Sequence, residues 1–335
     1  MAISYTVVDI RGKAVEPIIE ELLFDNKTVA DNLVSFETDV KAETIFTEND
    51  NTVTMQAYSS GAPTSNGTLG LVDTAVTPVK FMYYQEFDPN ALRSSRFKRD
   101  MKAGAWNIES SEFGSKVLGA YGRLISQDVE SKFWNNILGA TQTAIAGLSP
   151  GVGQGSVGAA EQTYAASLTA GQFDGVVTRM IYNGGAVGGR VKVAGTTITS
   201  STIATEYGKV YAAIPSVVLQ NGQMPFIYAP YSHKQLINIY NVGATYRDLF
   251  SVTNMGQATE KYFYNGVEIK FVPLPENCII AAKPEHIYWC TDLLSDINEF
   301  KVDKIANNRE DMFVKNIMTI FAHIVNQSKN VLYLG

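Results

Sequence analysis

The chain has 335 residues, of which 45% are apolar and 18% charged, with a formal net charge of -6 at pH 7. So much apolar material builds a sizeable core, which excludes disordered and fibrous classes, and no run of about 18 apolar residues or secretory leader pattern is read, so the expectation is a soluble chain made in a cytoplasm, with no membrane contact. Tight nucleic-acid binders carry a basic excess to neutralise phosphates, so this acidic chain is expected to touch nucleic acid weakly at most, and two cysteines form no disulfide framework.

In chain order, the first forty residues are polar and mixed. They hold one short amphipathic piece in which Ile18, Leu22 and Val29 lie at helical spacing. From Ala42 to about Asp88 the composition shifts to Thr, Ser, Asn, Gly and β-branched residues around the centre "SSGAPTSNGTLG". This predicts a long two-stranded ribbon with its turn near Asn66 and Gly67. With some twenty residues to a side it would reach roughly 60 Å at about 3.3 Å per residue. A lone ribbon is marginal in water, so it is expected to lean on something outside its own domain.

A long helix is predicted over 111–138, with Phe113, Val117, Tyr121, Leu124, Val129, Phe133 and Ile137 recurring at three- and four-residue steps. A Gly-rich loop follows. Thr169 and Gln172 then read as a capping box, with Leu168 and Phe173 as its staple and Asn183–Gly184 as the helix end. A further helix, "SSTIATEYGKVYAAI", stops before Pro215. Then come a strand "MPFIYAP", a helix "YSHKQLINIYN", a hairpin around Asn265 and Gly266, strands "NCIIAA" and "HIYWC" joined by the turn "KPE", and closing strands "EFKVDKI" and "DMFVKNIMTIFAHIV". This mixed order argues α+β and against a doubly wound sheet.

Chemistry-bearing residues are few. Cys278, His286 and Cys290 share one stretch, but a structural metal site needs four closely delivered ligands, so both cysteines read as buried core residues. "GQGSVG", from Gly153 to Gly158, matches a dinucleotide fingerprint by letter; no strand precedes it, and it reads as a flexible surface loop. His323 lies in an apolar strand and reads as a satisfied core imidazole. No P-loop, nucleophile elbow or HExxH occurs, so neither a catalytic residue, a cofactor nor a metal site is assigned. The basic cluster of Arg93, Arg96, Lys98, Arg99 and Lys102 reads first as a solvated or intersubunit charge face and second as a weak polyanion contact.

An arm, a protruding ribbon, a long helix, a mixed central region and terminal strands, with "MPFIYAPYSHKQLINIYN", "FYNGVEIKFVPLPENCIIAAKPEHIYWCTDL" and "FVKNIMTIFAHIV", resemble the major capsid proteins of tailed double-stranded-DNA bacteriophages, the Hong Kong ninety-seven fold. The resemblance implies an N-terminal arm at 1–41, an extended loop at 42–90, a peripheral domain at 91–193 and 293–335 with a spine helix at 111–138, and an axial domain at 194–292. It implies self-assembly into hexamers and pentamers that close an icosahedral shell around packaged DNA, in a virion assembled in the bacterial host cytoplasm. Scaffolding, portal and decoration proteins are the implied further partners. The loop tip, Pro63, Thr64, Ser65, Asn66, Gly67, Thr68 and Leu69, is the expected intersubunit reach. Some relatives cross-link through a lysine in this loop, but no Lys lies between Lys41 and Lys80. Nor is a long helical scaffold extension present ahead of the arm, which leaves a separate scaffolding protein or removal of such a segment. The alternatives are an encapsulin-like compartment shell and an α+β enzyme with a non-local site around His233 and His286.

Overall fold

A computed structural model describes residues 27–40, 43–49, 52–61, 64–68, 70–87, 111–183, 185–220, 224–243, 249–253, 260–292, 301–305 and 311–335. Helices and strands are mixed throughout, as the α+β reading expects, and the strands gather mainly into two sheets.

One sheet has seven strands, in the order Val191–Ala194, Val331–Leu334, Cys278–Ala282, Phe226–Pro230, Val267–Val272, Lys261–Tyr264 and Phe250–Thr253. Strands Val331–Leu334, Cys278–Ala282 and Phe226–Pro230 are apolar at every position because both faces are covered, and successive side chains of a strand point to opposite faces. Thus Ile227, Ala229, Ile279, Ala281, Val331 and Tyr333 enter one core with helices Ile203–Ala213 and Ser232–Gly243, while Tyr228, Cys278, Ile280, Ala282, Leu332 and Leu334 enter the other. At the hairpin between Lys261–Tyr264 and Val267–Val272, Asn265 and Gly266 take φ values of 45° and 81°, the pair of positive angles that a two-residue hairpin turn requires.

The second sheet has five strands: Ser35–Glu37, Ile287–Thr291, Met312–Ile324, Lys301–Lys304 and Lys80–Phe87, the last paired along Met312–Thr319. The long helix Ser111–Asn135 packs beside it. Trp289 stacks on Phe133 with ring centroids 4.2 Å apart, and Trp134 donates its Nε1–H to Thr28 Oγ1 at 3.0 Å. Thr28 in turn donates both its backbone N–H and its hydroxyl to Glu130 Oε1, so residues after 27 are tied down onto the helix.

Several expectations change. The long helix stops at Asn135 rather than 138, because Asn136 O is taken by Gly175 N at 2.9 Å and by Thr178 Oγ1 at 2.7 Å. Leu124 is 64% exposed; Ile125 replaces it in the buried stripe, four residues before Val129 and eight before Phe133. The segment opened by Thr169 and Gln172 is not a helix start. Ala170–Gly171 is a short strand, and the helix is only Val176–Ile181, with Tyr182–Asn183 already extended. Gly175 begins it in a place no side chain fits: a Cβ there would lie 2.7 Å from Asn136 N and 2.9 Å from Lys132 O. Asp174 accepts from Leu138 N and Thr141 Oγ1, both at 2.8 Å, fixing the same corner.

The expected spans do not map one to one onto the two sheets. Val331–Leu334, expected in the peripheral region, lies inside the seven-stranded sheet, and Ile287–Thr291, within the 194–292 span, lies in the five-stranded one. The chain therefore passes from one sheet to the other three times, once between Phe87 and Val191 and then through two short crossovers, at 283–286 and at 325–330.

Candidate assembly surface

The ribbon is built from Thr44–Asn49 paired antiparallel with Leu71–Val76, then Thr52–Val53 paired with Gly67–Thr68. Two residues separate the ladders on each limb, so they share one register, and that register centres the reversal on Ser60. Asn66 therefore does not form the turn. Its carbonyl accepts from Thr54 N at 3.3 Å, and Gly67, with φ 156°, is close to extended. A turn at Asn66–Gly67 would shift the pairing by an odd number of residues and move Val76 off its buried face. The paired limb covers Thr44 to Val53, roughly 33 Å at about 3.3 Å per residue.

The register is set at the root. Phe46 and Val76 lie on one face and pack with Val40, Cys290 and Phe321; the Phe46 ring stacks on His323 at 4.4 Å and tilts against Tyr288 at 5.2 Å. Beyond the root this cover ends. Val72 continues the same face into solvent, Ile45 and Leu71 are exposed on the other, and Val53, Met55 and Tyr58 are 93%, 96% and 95% exposed. Large apolar side chains laid open along a two-stranded ribbon form the candidate contact surface of the described residues. Of the expected tip, Thr64, Ser65, Asn66, Gly67 and Thr68 are exposed, while Pro63 and Leu69 lie outside the described residues. Sequence reasoning named this tip and missed Ile45, Val53, Met55, Tyr58, Leu71 and Val72, which the alternating pattern of each limb could have supplied. The basic cluster Arg93, Arg96, Lys98, Arg99 and Lys102 lies outside the described residues.

The residues that carried the chemical alternatives are dispersed. Cys278 is in the seven-stranded sheet and Cys290 in the five-stranded one; burial raises both thiols, Cys290 to about 12. Among the described residues no group of three or more His, Cys, Asp or Glu side chains is placed to hold a metal ion, and no helix is long and apolar enough to cross a membrane. His233 is fully buried. Its Nδ1 accepts from the Tyr207 hydroxyl at 3.0 Å and its Nε2 donates to Glu276 O at 2.7 Å, and burial lowers its pKa to about 4. His286 has other neighbours, with Nδ1 2.8 Å from Asn330 Oδ1, so the two histidines share no contact residue. His323 is buried, but it is not the satisfied imidazole expected: among the described residues neither ring nitrogen has a hydrogen-bond partner, because aromatic faces occupy its surroundings.

The loop "GQGSVG" runs between helices Gly139–Ala146 and Ala159–Ser167, so the strand a dinucleotide site needs before it is missing. It is also tethered, in contrast to the flexible loop expected. Arg190, fully buried, pairs with Glu161 and donates to Ser156 O at 3.0 Å, while Lys192 Nζ donates to Gly151 O at 2.6 Å.

No protein-family model matches the sequence, and no curated protein is similar to it. Solved structures are similar in fold. A chain of the satellite phage P4 procapsid including the size determination (Sid) protein is 7% identical, with 99% of this chain and 91% of that chain covered and a TM-score of 0.54. The capsid of an empty GTA particle is 7% identical over 100% and 98% of the two chains at a TM-score of 0.52, and the capsid of Myoviridae phage XM1 10% identical over 92% and 91% at 0.50. With nearly whole chains superposed in each case, this chain has the tailed-phage capsid fold.

Proposed function

We propose that the chain is a structural major capsid protein, without catalytic activity, that assembles into hexamers and pentamers and closes a shell around phage DNA. The observation that carries this reading is the ribbon: in a chain of capsid fold, it holds large apolar side chains almost wholly in solvent, the state of an interface waiting for its neighbour. The ribbon root is fixed by Phe46 and Val76 against the five-stranded sheet, so the subunit aims it, and a neighbouring subunit supplies the missing burial. In this reading the arm lies within residues 1–41 and the extended loop within 42–90, with Ser35–Glu37 and Lys80–Phe87 anchoring them in the five-stranded sheet; that sheet with the long helix forms the peripheral domain, and the seven-stranded sheet with its helices the axial domain. The net charge of -6 supports weak DNA contact, with Arg93, Arg96, Lys98, Arg99 and Lys102 meeting either DNA or an adjacent subunit. Scaffolding, portal and decoration proteins would be partners of the assembled shell in the host cytoplasm.

Electron microscopy of the purified protein after size-exclusion chromatography, at several concentrations and salt levels, tests the reading. Rings of five or six, or closed shells, are expected. A subunit that stays monomeric in all conditions, and also when co-expressed with candidate scaffolding proteins, would overturn it.

A further inference from the structure

The two short crossovers between the sheets meet each other. Val325 N donates to His286 O at 2.9 Å, and Asn330 Nδ2 donates to Val325 O at 3.1 Å. That second bond fixes the Asn330 amide, leaving Oδ1 to accept from His286 Nδ1 at 2.8 Å. Beside this junction lies a cleft of about 170 Å³ lined by Val217, Val218, Lys283, Glu285, His286, Asn326 and Lys329.

Its charges do not balance. Lys283 belongs to one crossover and Lys329 to the other. The Lys283 side chain is only 7% exposed, and the one ion pair it makes among the described residues is with Glu285 at 3.6 Å, longer than a hydrogen bond. Glu285 is 54% exposed, so its charge is largely spent on water and offsets the two lysines of the cleft only weakly. Lys329 donates to the neutral Asn326 Oδ1 at 3.3 Å. His286 already uses Nδ1–H on Asn330, so Nε2 is the nitrogen that would take up a proton from solvent if an anion arrived. The charged groups bearing on it are Glu285, which raises its pKa, and Lys329 and Lys283, which lower it; burial is the largest cause, and together with the two lysines it keeps the pKa below the ordinary value while no anion is bound.

We propose that this cleft is a binding site for a phosphate-type oxyanion, which bridges Lys283 on one crossover to Lys329 on the other and so braces the junction between the two sheets. The site is independent of the ribbon and of the assembly reading. In a chain of net charge -6 it is a local exception, built by bringing together two lysines that are 46 positions apart in sequence.

Isothermal titration calorimetry of the full chain with inorganic phosphate, in buffers matched in ionic strength with chloride, tests it. One saturable site per chain is expected, together with a phosphate-dependent rise in the thermal unfolding midpoint that chloride does not reproduce. Lys283→Met and Lys329→Met should each weaken binding at least tenfold; since Lys329 is only partly buried, its variant remains informative if the Lys283 variant does not fold. Absence of saturable binding, unchanged affinity in the variants, or acetate binding more tightly than phosphate would each overturn the proposal.

Discussion

The ribbon and the seven-stranded sheet are made of similar residues and meet opposite fates. Both carry Val, Ile, Leu and Phe side chains, yet Cys278–Ala282 is buried at all five positions, whereas Leu71–Val76 is buried only at Val76. The sheet completes its burial within the chain, using helices on one face and the shared core on the other. The ribbon completes it only at the root. Strand propensity therefore determines that both form ladders, and the presence or absence of cover decides which is a core and which an interface.

The comparison is tested most severely by Trp289→Ala. This fully buried ring stacks on Phe133, and its loss should cost about 3–5 kcal/mol, read as a lowered denaturant midpoint with an unchanged slope. A loss below about 1 kcal/mol would mean that the five-stranded sheet is not packed as described.

Acid should weaken the core next. His233 titrates at about 4 in the folded chain, because burial disfavours its charged form, and near 6.5 when unfolded. Between these values the unfolded chain binds the extra proton, so stability is full above pH 6.5 and falls as pH drops towards 4, by on the order of 3 kcal/mol for this group. Urea midpoints measured across that range should show the slope, and His233→Gln should reduce it by this group's share, the buried His323 and His286 supplying the rest. An unchanged slope in that variant would remove His233 from the account.

A smaller effect is expected at the boundary between the two regions. Phe46→Ala removes the ring from His323 and Tyr288 at the ribbon root, and should cost about 1 kcal/mol in the subunit. It should also loosen the aim of the ribbon, seen as faster amide hydrogen exchange along Thr44–Asn49. Exchange indistinguishable from the parent would mean that the root is held by something other than this packing.

The smallest effect on the subunit should come from the outer ribbon. Val53→Asp with Val72→Asp, or deletion of residues 55–65, should alter subunit stability by no more than about 0.5 kcal/mol, since these side chains touch little of their own chain. Shell closure should be lost all the same, as seen by electron microscopy. Normal particles from either variant would break the link between exposure and assembly.

Much of this was legible in the residues. Strand and helix periodicity located the hairpin at Asn265–Gly266, the helix before Pro215, the buried strands around "NCIIAA" and "HIYWC", and the ribbon between Ala42 and Asp88, because these signals are local. The element order carried the capsid fold for the same reason. Local signals failed where a distant contact competes with them. Asn66–Gly67 carries the strongest short-range turn signal in the ribbon, yet burial of Val76 and Phe46 at the root fixes a register that places the reversal six residues earlier. The Thr169–Gln172 capping pattern gives way to Gly175 docking on the end of the long helix. Nothing in the sequence announces the pairing of Val331–Leu334 inside a sheet that it enters after crossing from the other one. Nor does it announce that Lys283 and Lys329 share a cleft. Composition and periodicity determined most of which segments are strands and which are helices. Only the tertiary structure decided register, sheet membership and which apolar side chains stay in water, because each of these depends on burial between residues tens to hundreds of positions apart.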